Sequence, residues 1–184
     1  MIPKFVDSNK RLTEIADSIR MRFCIHCQKH GSLVKHGFVW GPDYEQKKAN
    51  ISRIKARRFY CSNRGLRNGC GRTITVHLCN SIPHHRTLAC TLWQWLLSVL
   101  TEENVHQAWH HFRLKFSLST GYRLWHKAHN HLSYWRNQLA QVSEWSDIKG
   151  KTNFSFVINH FKASFPIDSL SACQQRFQQS IWLN

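Results

Sequence analysis

Hydrophobic residues follow two different periods along this chain, and the change falls near residue 84. Before that point, short stretches alternate between apolar and polar residues and are separated by turns rich in glycine. Such alternation is typical of half-buried β-strands. We therefore predict three strands, over residues 33–40, 53–60 and 73–78, with a polar insert from Gly41 to Asn50 between the first two.

After residue 84 the apolar residues recur every three to four positions, which is typical of amphipathic helices. We predict three consecutive helices, over residues 88–100, 104–114 and 119–138. Ser119 or Thr120 is expected to cap the third helix, since a hydroxyl oxygen accepts a hydrogen bond from the first turn.

Two more amphipathic segments follow, over residues 154–165 and 169–181, and Pro166 separates them. The predicted class is α+β: a small β-rich zinc ribbon followed by an all-α helix-turn-helix bundle. We expect four parts, namely an N-terminal lead-in with a short helix (1–21), the ribbon (22–80), the helix-turn-helix region (81–140) and a C-terminal helical extension (141–184). The extension either closes the helical core or docks a partner, and we favour core closure.

The net charge of the chain limits the classes of partner that it can bind. The 184 residues contain 26 Lys and Arg against 10 acids, a net charge of +16, so the surface must attract polyanions. The longest strongly apolar stretch, Leu92 to Leu100, is far shorter than the roughly 20 residues that cross a bilayer, and no signal peptide is visible before Met21. These observations predict a cytoplasmic protein with no membrane partner.

Five of the seven cysteines fall in the first 80 residues, which also hold 16 Lys and Arg against 5 acids. Cys24 and Cys27 form a C-x2-C knuckle that brings two thiolates to one ion, as tetrahedral zinc requires. Cys61 and Cys70 would complete the site; eight residues separate them instead of the usual two to four, and the extra residues would bulge outward. A ribbon this small gains the stability it needs from Zn²⁺.

Other ligand sets stay open at this level. Cys79 is a rival to Cys70, and any of three histidines could replace a thiol; these are His26, His30 and His36. Ordinary buried thiols are the alternative to a metal site. We expect Cys90 and Cys173, on apolar helix faces, to be core residues.

Basic residues cluster around the predicted ribbon. We expect them to contact DNA phosphates, which give affinity without reading sequence; a solvated basic face kept for solubility is the alternative. The predicted set is Lys47, Lys48, Arg53, Lys55, Arg57, Arg58, Arg64, Arg67 and Arg72.

The third predicted helix would enter the major groove of duplex DNA with its N-terminal end first. Arg123 is the best candidate for a base contact, because arginine bonds guanine bidentately. Tyr122 and Trp125 would pack inward or flank the backbone. The predicted DNA-facing residues are Ser119, Thr120, Arg123, His126 and Lys127. A plain three-helix bundle with a polar outer face is the alternative.

Two phrases suggest a family: Arg57-Arg58-Phe59-Tyr60-Cys61, then Cys70-Gly71-Arg72-Thr73-Ile74. Together with the helices that follow, they resemble the zinc-ribbon plus helix-turn-helix N-terminal region of bacterial insertion-sequence transposases, over about residues 22–130. The resemblance implies zinc at Cys24, Cys27, Cys61 and Cys70 and DNA contact by the helix beginning near Ser119. The long Cys27-to-Cys61 spacing and the eight-residue second knuckle depart from that family's compact form.

We expect no enzymatic activity and no small-molecule substrate. A DDE-type transposase needs three carboxylates on an αβ domain to hold two metal ions. Beyond Asn130 only three acids remain, Glu144, Asp147 and Asp168, on a segment too short and too helical for that domain.

The sequence thus predicts a zinc-dependent protein that binds double-stranded DNA, as an accessory factor or regulator in transposition that can partner a transposase or another mobile-element protein. Two other classes remain: a protein-interaction adaptor that docks through the ribbon, and a single-stranded RNA binder that stacks aromatic side chains on bases.

Overall fold

The computed structural model describes residues 2–42, 52–85, 87–102, 104–112, 117–144, 150 and 152–180. The chain forms two compact units, Met1–Thr87 and Leu88–Asn184. The first contains a four-stranded sheet and the second is helical within its described residues. The predicted α+β class is confirmed, and the division falls seven residues after the predicted boundary at residue 80.

The first unit is built on a mixed sheet with strand order β1-β4-β3-β2. β1 pairs in parallel with β4, whereas β3 lies antiparallel to both β2 and β4. The elements are β1 (Phe5–Val6), α1 (Asn9–Asp17), a 3-10 turn (Ile19–Met21), β2 (Leu33–Pro42), β3 (Ser52–Cys61) and β4 (Thr73–Leu78). The three predicted strands are confirmed to within two residues at each end. Most of the predicted polar insert lies outside the described residues.

Residues 2–21, predicted as a lead-in before the ribbon, contribute to the core of the first unit. Ser8 caps α1 by accepting a hydrogen bond from the Arg11 backbone at 3.3 Å. Leu12, Ile15 and Ala16 recur at helical spacing and are buried in one cluster with Phe59 of β3. The helix therefore covers one face of the sheet, because its apolar stripe has to be removed from water.

The second unit is a set of helices whose consecutive members pack on one another: α2 with α3, α3 with α4, and α5 with α6, while α7 returns to α2. The helices are α2 (Ala89–Glu102), α3 (Val105–Phe112), α4 (Leu118–Asn130), α5 (Leu132–Leu139), α6 (Asn153–Ser164) and α7 (Ser169–Phe177). The third helix, predicted to run unbroken to residue 138, ends at Asn130. His131 has ψ of 1°, and a new helix starts immediately after it.

Side chains cap the starts of α4 and α3. The prediction of Ser119 or Thr120 as a cap is wrong: Ser117 caps α4, with an extended backbone (ψ 154°) and a side chain that accepts from the Thr120 backbone at 3.4 Å. At α3, Asn104 Oδ1 accepts from the His106 backbone at 2.8 Å. In both cases the cap is the last non-helical residue, as capping geometry requires.

The core of the second unit includes the fully buried Trp95, Trp135 and Phe161. Trp135 and Phe161 meet edge-to-face at 5.7 Å, and α6 and α7 also bury Phe154 and Leu170. The C-terminal extension therefore closes the helical core, as predicted. Within the described part of the chain, no helix has the length and apolar character that a membrane span needs.

Candidate metal centre and basic surface

Four cysteine thiols converge at one end of the sheet of the first unit. The Sγ atoms of Cys24, Cys27, Cys61 and Cys70 all lie within 4.8 Å of one another. Cys24 and Cys70 are 3.8 Å apart, and Cys27 and Cys61 are 3.7 Å apart. Four sulfurs at about 2.3 Å from a tetrahedral ion are separated by about 3.8 Å. The cluster therefore has the size of a tetrahedral metal site, and these four residues could hold a metal ion.

The first knuckle is a tight turn closed by two backbone hydrogen bonds. The Cys24 N–H donates to the Lys29 carbonyl at 3.0 Å, and the Gln28 N–H donates to the Cys24 carbonyl at 2.8 Å. Gln28, the residue after the second cysteine, has a left-handed backbone with φ of 57°. This conformation returns the chain toward β2 and leaves both thiols on the same side of the turn.

The second knuckle repeats this pattern in spite of its length. The Cys61 N–H donates to the Arg72 carbonyl at 2.9 Å, and the Gly71 N–H donates to the Cys61 carbonyl at 2.9 Å. Gly71, again the residue after the second cysteine, has φ of 71°. The frame that places the two thiols is therefore the same in both knuckles, as predicted for an insertion that leaves its ligands in place.

The eight residues between Cys61 and Cys70 form a loop that is closed by its own backbone. The Gly69 N–H donates to the Ser62 carbonyl at 2.8 Å, so the loop is pinned where it leaves and rejoins the knuckle. A Cβ at Gly69 would lie 2.3 Å from that carbonyl oxygen and 2.7 Å from Cys61 Sγ. Only glycine fits there. At the loop tip, Leu66 is fully exposed.

The local environment shifts the pKa values of two of the thiols in opposite directions. The backbone N–H of Lys29 holds the pKa of the Cys27 thiol down at about 7, whereas burial raises the pKa of Cys61 to about 12. Backbone N–H groups also point at sulfur, from His26 to Cys24 Sγ at 3.4 Å and from Cys70 to Cys61 Sγ at 3.3 Å. Four thiolates at this separation repel one another, and a cation at their centre removes that repulsion.

The rival ligands lie elsewhere. Cys79 is buried, and its N–H donates to the Val6 carbonyl at 2.8 Å. His30 packs against Phe23 and His36 against Tyr60. Among the described residues, the four-cysteine cluster contains none of the three histidines. Cys173 is a core residue as predicted, with burial raising its pKa to about 12, and Cys90 is half-buried.

The predicted phosphate contacts of the ribbon divide by exposure. Arg58, Arg64 and Arg72 are exposed, while Arg53, Arg57 and Arg67 are partly exposed. Lys47 and Lys48 lie outside the described residues.

The prediction that Lys55 contacts a DNA phosphate is wrong. Lys55 is 8% exposed, and its Nζ donates to the His85 carbonyl at 3.2 Å. Its aliphatic chain lies in the space that a side chain at Gly41 would fill, so it has no surface to offer a phosphate.

The two knuckles together form a polar cleft of about 500 Å³. Lys29 and His30 line it from the first knuckle, and Arg67 and Asn68 from the inserted loop of the second. Lys29 is exposed and was not among the predicted contacts, although its place two residues after Cys27 matches that of Arg72 after Cys70.

In the second unit, α4 buries Gly121, Leu124 and Ala128. The opposite face presents Ser119, Arg123 and His126 to solvent, with Thr120 and Lys127 partly exposed beside them. Arg123 donates to Thr120 Oγ1 at 3.0 Å, which orients its guanidinium. Tyr122 is 42% exposed and shares the outer face, so it does not pack inward. Trp125 does, with its ring 4.4 Å from that of Phe154.

Sequence reasoning missed one exposed feature of the first unit. Phe38 and Trp40 of β2 are 40% and 58% exposed, with ring centroids 5.8 Å apart. The guanidinium of Arg57 lies 4.7 Å from the centre of the Phe38 ring. The signal was available in the sequence, since two aromatic residues that are two positions apart in a strand share a face.

Comparison of the chain with protein-family models, with curated proteins and with solved structures finds no match.

Proposed function

We propose that this chain is a zinc-dependent DNA-binding protein that holds duplex phosphates with its metal-bound first unit and contacts bases with α4. The observation that carries the proposal is the cluster of four thiols within 4.8 Å of one another, flanked by exposed arginines. The proposal gives the chain a binding role in the cytoplasm and assigns no catalytic residue.

Zinc is the proposed metal because four thiolates in a tetrahedron suit it better than they suit magnesium, calcium or manganese. The ion would join segments that are 34 and 46 residues apart in sequence. The sheet below has a small core, so the free energy of metal binding would contribute directly to folding.

Phosphate binding is proposed for the arginines around the knuckles, together with Lys29. Arg64 and Arg67 lie in the loop between Cys61 and Cys70, and Arg72 is two residues after Cys70. Because Zn²⁺ with four thiolates carries a charge of −2, nearby cations are needed to make this end attractive to DNA; the first 80 residues have 11 more cations than acids. Arg53, Arg57 and Arg58 on β3, and Lys47 and Lys48 of the preceding segment, are the other proposed contacts.

Base recognition is proposed for the outer face of α4, where Ser119, Arg123 and His126 lie on one side of a capped helix. In this arrangement α3 and α4 are the two helices of a helix-turn-helix, and the N-terminal turn of α4 enters the major groove. Arg123 is the proposed guanine contact. Thr120 orients the guanidinium of Arg123, and Lys127 is proposed to contact the phosphate backbone of the DNA.

A role in transposition follows from the resemblance of residues 57–61 and 70–74 to the DNA-binding region of insertion-sequence transposases. We propose an accessory factor or regulator that is separate from the nuclease and that can act with a transposase or another mobile-element protein.

The test is selection of bound duplexes from a random pool, with metal content and salt dependence measured on the same preparation. We expect one zinc per chain, an enriched motif, and affinity that falls steeply with salt. Arg123→Ala should relax the preference at one base position, whereas Arg64→Gln with Arg67→Gln should weaken all duplexes alike.

Three results would count against this function. A folded preparation without metal would remove the zinc site, and duplex affinity that does not change with salt would remove the phosphate contacts. An enriched motif that survives Arg123→Ala unchanged would remove α4 as the reading element. Asn137→Ala, at an exposed position of α5, is the matched control and should leave all three measurements as in the wild type.

A further inference from the structure

We propose that Phe38, Trp40 and Arg57 form a base-stacking platform for unpaired bases of a DNA strand that continues from the bound duplex. The inference deepens the proposed function and rests on it. The platform is a second nucleic-acid site, distinct in its residues from the knuckles and from α4.

The platform is built by strand register. Phe38 and Trp40 are two residues apart on β2, so their side chains share one face of the sheet. Phe38 lies directly across from Arg57 of β3. The two rings are tilted by 56° with their centroids 5.8 Å apart, so each presents a face or edge at the surface without covering the other. The Arg57 guanidinium 4.7 Å from the Phe38 centroid adds a cation at the ring.

The exposure of these two rings indicates that they form a binding surface for a ligand. Burying apolar surface contributes about 25 cal/mol per Å², and strands normally turn large aromatics inward. A tryptophan that is 58% exposed beside a phenylalanine that is 40% exposed forms a continuous apolar area, in contrast to a single scattered side chain. A flat aromatic surface suits a base, because every base has a π-face.

Charge favours a nucleic-acid strand as that occupant. Arg57, directly across from Phe38, lies on the same face of the sheet as the two rings, and the first 80 residues contain 11 more cations than acids. The nearby carboxylate of Asp17 is already paired with Lys35 at 2.8 Å. Stacked bases carry phosphates on both sides, and the Arg57 guanidinium beside the Phe38 ring can bind one of them.

The experiment compares two DNAs in binding to the full chain, a blunt duplex and the same duplex with about six unpaired thymines at one end. The wild type should bind the extended DNA about tenfold more tightly. Trp40→Ala and Phe38→Ala should each abolish most of that preference and leave blunt-duplex affinity unchanged. Trp40→Phe, which keeps a stacking ring, should retain most of it, and Ile167→Ala, another exposed apolar side chain, should retain all of it.

Tryptophan fluorescence tests directly whether a base contacts Trp40. Position 40 holds the only tryptophan before residue 93, so the difference between wild-type and Trp40→Phe emission reports on Trp40. Adding a thymine oligonucleotide should quench this difference signal. Failure to quench, in a protein that binds the oligonucleotide, would overturn the platform.

The outcomes separate this inference from the function on which it rests. Equal affinity for both DNAs, with salt-sensitive duplex binding intact, overturns the platform alone. No salt-sensitive binding of either DNA overturns the proposed function. Tighter binding of a uridine oligonucleotide than of its DNA counterpart, or a dimer that Trp40→Ala converts to a monomer, would show that RNA or a second copy is the occupant and would overturn the assignment to DNA.

Discussion

The two cysteine knuckles have two and eight residues between their ligands, yet they share one backbone frame. In each, the first cysteine donates to the second residue after the knuckle, and the first residue after the knuckle donates back to it. The residue that donates back has φ of 57° in one knuckle and 71° in the other. The placement of the thiols is therefore set by the residues that follow the second cysteine, and the number of residues between the cysteines differs without changing it.

The comparison also shows how the longer knuckle is accommodated. The shorter turn needs no special residue between its cysteines, whereas the longer one needs Gly69 to let the chain pass between the Ser62 carbonyl and Cys61 Sγ. The added residues include Arg64, which is exposed, and Arg67, which lines the cleft shared with the first knuckle. The longer second knuckle thus adds two arginines, and it requires glycine at position 69.

The largest expected effect is loss of either pair of ligands. Cys24→Ser with Cys27→Ser, and Cys61→Ser with Cys70→Ser, should both abolish metal binding and unfold the first unit, because the coupled free energy is on the order of 10 kcal/mol. A strong chelator should do the same to the wild type. Metal content and thermal unfolding are the measurements. Cys90→Ser is the control, and a serine pair that kept both its metal and its melting temperature would refute the shared site.

Gly69→Ala should be the most damaging single change within a loop. Its Cβ would meet backbone and a ligand sulfur at under 3 Å, and such overpacking costs about 3 kcal/mol. Gly65→Ala is the matched control: φ is also positive, at +63°, but nothing lies within 4 Å, so about 1 kcal/mol is expected. Urea unfolding distinguishes them, and equal losses would show that the close approach is unimportant.

Deletion of residues 63–68 would convert the second knuckle into Cys-Ser-Gly-Cys and make the two knuckles equal in length. We expect metal binding to persist, with a stability change of about 1 kcal/mol from the shorter loop. Duplex binding should lose about 2 from its salt slope, because Arg64 and Arg67 are removed. Arg64→Gln with Arg67→Gln should reproduce the binding loss in an intact loop. Loss of metal on deletion would mean that the frame alone does not place the thiols.

The smallest effect concerns the left-handed residue after each knuckle. Glycine adopts this conformation without steric cost, whereas other residues lose about 1 kcal/mol. Gln28→Gly should therefore stabilise the protein by about that amount, and Gly71→Ala should destabilise it by a similar amount or slightly more, since Asn63 Nδ2 is 3.3 Å from the added Cβ. The two shifts in melting temperature should have opposite signs; shifts of the same sign would contradict the equivalence of the two positions.

Local patterns in the sequence were sufficient for the three longer strands, most of the helices and all four thiols of the candidate site. The C-x2-C spacing and the strand alternation depend only on residues that are close in sequence, so the sequence alone is enough to predict the structures that they form. The burial of Lys55 was not accessible in this way, because it depends on the room left by Gly41 and on a carbonyl thirty residues away. The incorporation of residues 5–19 into the core likewise depends on a pairing with β4 that leaves no periodic trace.

The parallel pairing of β1 with β4 joins residue 5 to residue 77, and this governs the order in which the first unit can assemble on the ribosome. The first knuckle emerges with only half of its ligands, and α1 emerges with no sheet to cover. The first knuckle must wait for Cys70, and β1 must wait for residue 78 of β4, to leave the exit tunnel, since contacts so distant in sequence form late. A fragment that began at Arg22 would leave the β4 edge bare, prone to pair with another chain.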